Sequence, residues 1–214
     1  MAEEWLYYKP EFLAYWTLDE SSGVIANDAV YSNDGTLVNG PEWQPAGGQI
    51  DGALSFDGDN DYVSLPSVFN PTDGPFSIAA WVQLDAKLGS VNQVIIQQEG
   101  TSGRTLLYRD AITDKLGSYL GGVGSLSDTA VFATTGQWHH VCVTYDGAVV
   151  EFYIDGLEDG SSSVTAETET SGFRLGAHKT PSPNSEYWSG LIDDVRIYER
   201  ILSASEVLML AGSE

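Results

Sequence analysis

Apolar and polar residues alternate with a period of two along most of this chain. The clearest stretch is Trp138 to Gly156, WHHVCVTYDGAVVEFYIDG, where two alternating runs flank Asp146-Gly147. Side chains on a strand point alternately to opposite faces, so this pattern predicts strands buried on one side. Asp-Gly between two such runs predicts a two-residue hairpin turn with positive φ at both positions. That turn sets Tyr145 opposite Ala148, Val143 opposite Val150 and Val141 opposite Phe152 on a greasy face. His140 opposite Tyr153, Cys142 opposite Glu151 and Thr144 opposite Val149 fall on a mixed face. A lone hairpin is not stable in water, so further strands and a second layer must cover it.

The rest of the chain supplies them. Phe12 to Leu18 reads as a first strand, broken by Asp19-Glu20-Ser21-Ser22-Gly23. Turn formers follow at Asn33-Asp34-Gly35 and Asn39-Gly40. Ala53 to Leu65 reads as a strand, an acidic turn and a second strand. In Pro75 to Leu84, Phe76, Ile78, Ala80 and Val82 share one face; Ser77, Ala79, Trp81 and Gln83 share the other. Gln93 to Gln98, Arg104 to Arg109 and Leu116 to Leu120 are further strands. Gly121 to Gly124 loosens the chain, and Thr129 to Ala133 begins another strand. Ser161 to Ser171 carries little core signal. Gly172 to Gly176 is a short strand, His178 to Ser185 a Pro-bearing loop, and Leu191 to Tyr198 the last long strand. Ser203 and Glu206 have capping-box spacing before Val207, Leu208 and Leu210, which predicts one short helix. Many short strands with frequent turns predict an all-β sandwich or barrel, as a single domain over 1–214 without linker or repeat.

Charge narrows the partners. The chain has 9 basic and 31 acidic side chains, a net charge of −22. Such a field repels nucleic acid, anionic membranes and sulfated or uronic polymers, and is compatible with neutral glycans and divalent cations. It also serves solubility alone. Cys142 is the only cysteine, so no disulfide forms within the chain and no Cys-based zinc site exists; on a strand it reads as a packed apolar residue. No apolar run reaches the roughly 18 residues of a membrane span. The N-terminus carries no signal-peptide pattern and reads as the start of an excised module.

Several stretches now in hand carry a resemblance: YWTLDESSG at Tyr15, ALSFDGDNDYVSL at Ala53, FSIAAWV at Phe76, WHHVCVTYDG at Trp138, FYIDG at Phe152 and GLIDDVRIYERILSASEV at Gly190. In this order they resemble the laminin-G-like, concanavalin A-like domains over nearly the whole chain. The resemblance implies a jelly-roll β-sandwich of two curved antiparallel sheets, with ligands on the concave face or at a rim of loops, and often a structural calcium. It implies a lectin-like module of a larger secreted or cell-surface protein, working beside that protein's other domains. A structural or protein-binding adhesion domain is the alternative.

Catalysis has less support. Laminarinase-like relatives use carboxylates spaced E-x-D-x-x-E or E-x-D-x-E on one strand. The nearest match, Glu151, Asp155 and Glu158, has the wrong spacing, and Asp155-Gly156 signals a turn. His139 and His140 belong to the scaffold strand, so the expectation is a protein that is not an enzyme. For a metal, hard cations need several oxygens at short range. The resemblance implies that an N-terminal Asp and one from IDDV meet, giving Asp19, Asp28 and Asp193 as calcium candidates. The stretch matching the pentraxins' ligand-holding calcium loop, Leu175 to Pro181, has no carboxylate. For a neutral poly- or oligosaccharide, aromatic faces and planar hydrogen-bonding groups are needed. Gln97, Arg104, Tyr108, Tyr119, His178 and Trp188 are the candidates near the expected concave face, with Arg104 and Tyr108 on one side of one strand. Trp188 also stands where the family has a packing aromatic.

Overall fold

A computed structural model describes residues 12–98, 106–179 and 186–212. The first part of the chain forms β1 (Phe12–Trp16), β2 (Ile25–Ala26), β3 (Gly35–Val38), β4 (Glu42–Gln44), β5 (Ala53–Asp57) and β6 (Tyr62–Leu65). The middle forms β7 (Phe76–Leu84), β8 (Gln93–Gln98), β9 (Leu106–Arg109), β10 (Leu116–Leu120) and β11 (Val123–Leu126). The rest forms β12 (Trp138–Tyr145), β13 (Val149–Ile154), β14 (Leu157–Ser163), β15 (Phe173–Leu175), β16 (Ser189–Tyr198) and helix α1 (Ala204–Leu210). Two antiparallel sheets result. The first runs β14-β13-β12-β7-β16-β5-β4, with β1 also paired to β16. The second runs β11-β10-β9-β8-β15-β6-β3-β2. This is the expected all-β sandwich with a short C-terminal helix.

One apolar core fills the space between the sheets. Ile78, Ala80 and Val82 of β7 and Val141 and Val143 of β12 enter it from the first sheet. Val63, Leu107, Leu116, Phe173 and Leu175 enter from the second. The outer face of the first sheet is covered as well. Ala79, Cys142, Tyr153 and Tyr198 pack there with Leu202 and Val207, where α1 docks. That second layer explains why β7 is almost continuously buried rather than alternating. The Ser203 hydroxyl accepts from the Glu206 N–H, and the Glu206 carboxylate accepts from the Ser203 N–H, so the capping box forms. Among the described residues α1 is the only α-helix, and no helix is long and apolar enough to cross a membrane.

The central hairpin keeps its predicted faces but not its predicted register. Tyr145 pairs with Val150, Val143 with Phe152 and Val141 with Ile154. Gly147, with φ 105, and Ala148 occupy the turn. Asp146 is the residue before it; its backbone N–H donates to Val149 O at 3.2 Å. The Asp146 carboxylate accepts from the Ala148 and Val149 N–H groups, both at 2.7 Å. A glycine at the first central position with Asp preceding fits a II′-type turn, so a side-chain staple won over the Asp-Gly turn signal. Pairing moves by two residues, and the core face therefore stays the core face. The turn with two positive φ angles is instead Asp155-Gly156, at 50° and 84°, between the paired Ile154 and Leu157.

Other expectations fail locally. Val131–Ala133 is a single 3-10 turn rather than the start of a strand, with Phe132 packed into the core. Gly121 to Gly124, read as loose chain, runs into Val123–Leu126, which pairs with β10 as an edge strand. Ser161 to Ser163, with little core signal, complete edge strand β14. Edge strands bury little, so their sequences show little.

Candidate functional site

The outer face of the second sheet has no helix over it among the described residues. Phe173 and Leu175 point into the core, so Arg174 between them points outward. A cross-strand row follows from the register: Thr36, Ser64, Arg174, Gln97, Leu106 and Tyr119. Beside it runs a second row of Val94, Tyr108, Gly117 and Leu126. The Tyr108 ring lies across Gly117, where any Cβ would collide with it, and its phenol reaches toward Gly124. Val94, Tyr108 and Tyr119 form a small apolar cluster of their own. At the other end the Arg174 guanidinium sits 4.4 Å from the Tyr62 ring centroid.

The chain after β15 borders this face. His178 N–H donates to Glu186 O at 3.2 Å, and Ala177 bridges to Tyr187. The backbone N–H of Lys179 donates to Gln97 Oε1 at 3.0 Å. His178 and Glu186 side chains stand 3.9 Å apart. Burial raises the Tyr108 phenol pKa, and the nearby Asp110, Glu186 and Tyr119 raise it further. The fold therefore brings together Gln97, Tyr108, Tyr119 and His178. Tyr108 is 8% exposed and Gln97 1%, so these two form a floor rather than an open platform. Arg104 lies outside the described residues.

Trp188 does not belong to this face. It is 0% exposed, packed edge-on to Phe132 at 5.7 Å, with Nε1 donating to Leu191 O at 3.3 Å. A large aromatic buried between the sheets contributes packing. Sequence reasoning missed Arg174 and Lys179. Arg174 was legible as the residue alternating with Phe173 and Leu175; Lys179 acts through its backbone and carries no side-chain signal.

The three metal candidates also separate. Asp193 is 0% exposed, and its Oδ2 accepts from the Ile50 N–H at 2.9 Å. Its Oδ1 is buried with no hydrogen-bond partner among the described residues. Burial raises the Asp193 pKa to about 7, and the neighbouring charges of Asp194 and Asp19 push in the same direction. Asp19 accepts from the Gly52 N–H at 2.7 Å, and a Cβ at Gly52 would lie 2.8 Å from the Asp19 Cα. Asp19 and Asp193 thus meet across a tight glycine-bearing loop. A lone buried carboxylate oxygen beside a second carboxylate suits a hard cation. Asp28 fits differently. Its Oδ1 accepts from the Tyr15 and Val30 N–H groups, and its Oδ2 from the Asn33 N–H and Nδ2, all at 3.0–3.1 Å. Four hydrogen bonds fill the carboxylate's capacity, so Asp28 is a turn staple. No group of three or more His, Cys, Asp or Glu side chains converges among the described residues, so backbone oxygens would have to complete any shell.

The carboxylates weighed for hydrolysis stay apart in role. Asp155 sits in the turn and binds His139 Nδ1 at 2.9 Å and the His140 N–H at 2.9 Å. Glu151 accepts from Tyr153 on β13, while Glu158 lies on β14.

Solved structures share this architecture. Domain 4 of AbnA, a GH43 extracellular arabinanase from Geobacillus stearothermophilus, in complex with arabinotriose, is 21% identical. The match covers 94% of this chain and 98% of that one, with a TM-score of 0.72. The binding domain of Paraclostridial Mosquitocidal Protein 1 is 15% identical with a TM-score of 0.74, covering 96% of this chain and 52% of that one. Trypanosoma rangeli sialidase in complex with the inhibitor DANA is 17% identical with a TM-score of 0.69; 92% of this chain matches 32% of it. At these identities the likeness is one of fold. A laminin G family model matches residues 57–208. That match spans most of the sequence, and the chain belongs to the concanavalin A-like lectin/glucanases superfamily.

Proposed function

We propose that this chain is a non-catalytic carbohydrate-binding module that takes a neutral oligosaccharide on the outer face of the second sheet. The observation that carries this reading is the gathering of Gln97, Tyr108, Tyr119 and His178 on the sheet face left without a helix. Aromatic rings beside planar hydrogen-bonding groups suit a sugar ring's apolar side and its hydroxyls. The near full-length match to an arabinanase domain in complex with arabinotriose supports a neutral pentose oligomer as the first ligand to try. The net charge of −22 also favours an uncharged glycan. The module works beside other domains of a secreted or surface protein. Calcium, held by Asp19 and Asp193, supports the fold rather than the ligand; when bound, it supplies positive charge to an otherwise crowded carboxylate pair.

A second reading, a receptor-binding adhesion domain without sugar affinity, draws on the likeness to a toxin binding domain. A panel of immobilised neutral glycans, arabinan included, separates the two. Retention of the wild-type chain on at least one glycan is expected, with no release of reducing sugar. Binding to none favours the second reading, and release of reducing sugar refutes the non-catalytic one.

A further inference from the structure

Gln97 carries a feature that goes one step past the proposed sugar site, on which the following rests. Its side chain is 1% exposed and faces outward from β8, between Arg174 and the chain of β9. A backbone N–H only donates, so the Gln97 atom facing the Lys179 N–H at 3.0 Å is the carbonyl oxygen. The amide's orientation is fixed by that bond, and Nε2 is the atom turned the other way. Gln97 Nε2 is buried and has no hydrogen-bond partner among the described residues. Gln98, next in the chain, differs: its Nε2 donates to Phe69 O at 2.8 Å and Glu169 O at 3.0 Å. A buried donor without an acceptor is rare, because its lost hydration goes uncompensated.

We infer that the Gln97 amide nitrogen is the specificity-determining donor of this site, and that it selects a saccharide presenting an acceptor oxygen to it. A hydroxyl, ring or glycosidic oxygen satisfies the donor; an apolar or cationic group leaves it unpaired. A carboxylate would also accept. Asp110 and Glu186 oppose an anionic sugar at the Tyr108 end of the face, whereas Arg174 is the cross-strand neighbour of Gln97, so this donor itself sorts ligands by acceptor position and not by charge. Sites built around one fixed hydrogen-bond donor reject analogues that lack the acceptor more strongly than apolar pockets reject a missing methylene.

The test uses the full chain and arabinotriose, or another neutral oligosaccharide from the panel that retains the wild type. Gln97→Met keeps length but removes both the donor and the oxygen that accepts from the Lys179 N–H, so Gln97→Glu, which keeps an oxygen for that N–H, is measured beside it and must show the same loss. The expected result is a loss of affinity of tenfold or more. Affinity within twofold of wild type overturns the inference while leaving the sugar-binding reading intact. Should the variant fail to fold, the wild type alone decides. The Gln97 side-chain amide resonances, assigned through their proximity to Lys179, shift on titration with the same midpoint as binding, or stay in place and refute it. A wild type that binds no panel glycan removes both the reading and the inference.

Discussion

His140 links the packing of the first sheet to pH. It lies on β12, 2% exposed, edge-on to Trp81 at 5.3 Å, and its Nδ1 has no hydrogen-bond partner among the described residues. Burial lowers its pKa from an ordinary 6.5 to about 4; the Arg196 charge adds to this, and Asp155 opposes it. A base whose pKa is lower in the folded state binds fewer protons when folded. Its stability contribution is therefore complete above 6.5 and is lost as pH falls from 6.5 through about 4. At pH 5 the unfolded chain is mostly protonated here and the folded chain mostly is not, a difference of about 2 kcal/mol. For a domain of this size that shifts Tm by roughly 4–8 °C. The assay is thermal or urea unfolding at pH 7 and pH 5 for wild type and His140→Leu. Other titrating groups act in both proteins, so the difference between the two pH responses isolates His140. The variant should lose about 2 kcal/mol less than wild type on acidification. Equal losses would show that the native site accommodates the imidazolium.

Three further outcomes are expected. Calcium should raise Tm above that measured in chelator, and Asp193→Asn should remove most of that rise; superimposable wild-type curves sink the proposed ion. Asp28→Ala should cost about 3 kcal/mol or more, because it strands the Tyr15, Val30 and Asn33 donors, yet leave any calcium response in place; loss of that response would return Asp28 to the metal shell. Trp188→Ala should cost about 3–5 kcal/mol in urea unfolding, whereas Trp188→Phe should retain wild-type glycan affinity; weakened binding by a stable Phe variant would put Trp188 back at the site.

The sequence exposes what periodic burial writes into it. Ile78, Ala80 and Val82 declare their face by alternation, and the structure buries all three. The Ser203 and Glu206 spacing declares a helix start because the cap is local. The hairpin register was less legible. Whether Asp146 occupies the turn or staples it depends on two side-chain hydrogen bonds of 2.7 Å, and either arrangement preserves the apolar face. Val123 to Leu126 was invisible as a strand because half of an edge strand's pairing partners are missing. At the candidate site, spacing put Arg104 and Tyr108 on one side of one strand and the family resemblance put them near the concave face, but nothing local told that Trp188 would close over the core edge of Phe132. Asp19 and Asp193 meet only through the loop holding Gly48 and Gly52, a contact between distant parts of the chain. Asp28 carries the same chemistry as either, and only its four donors reveal a different duty.

The docking of α1 on the first sheet gives the molecule a back and a front. Met209 of that helix is 45% exposed, while Cys142, the sole thiol, is wholly enclosed. A cysteine introduced at Met209 would therefore be the only reactive sulfur, and coupling through it would fasten the protein to a bead or sensor chip by its back. Every tethered copy would then turn the opposite sheet, with its Tyr119 and Arg174, to the solution.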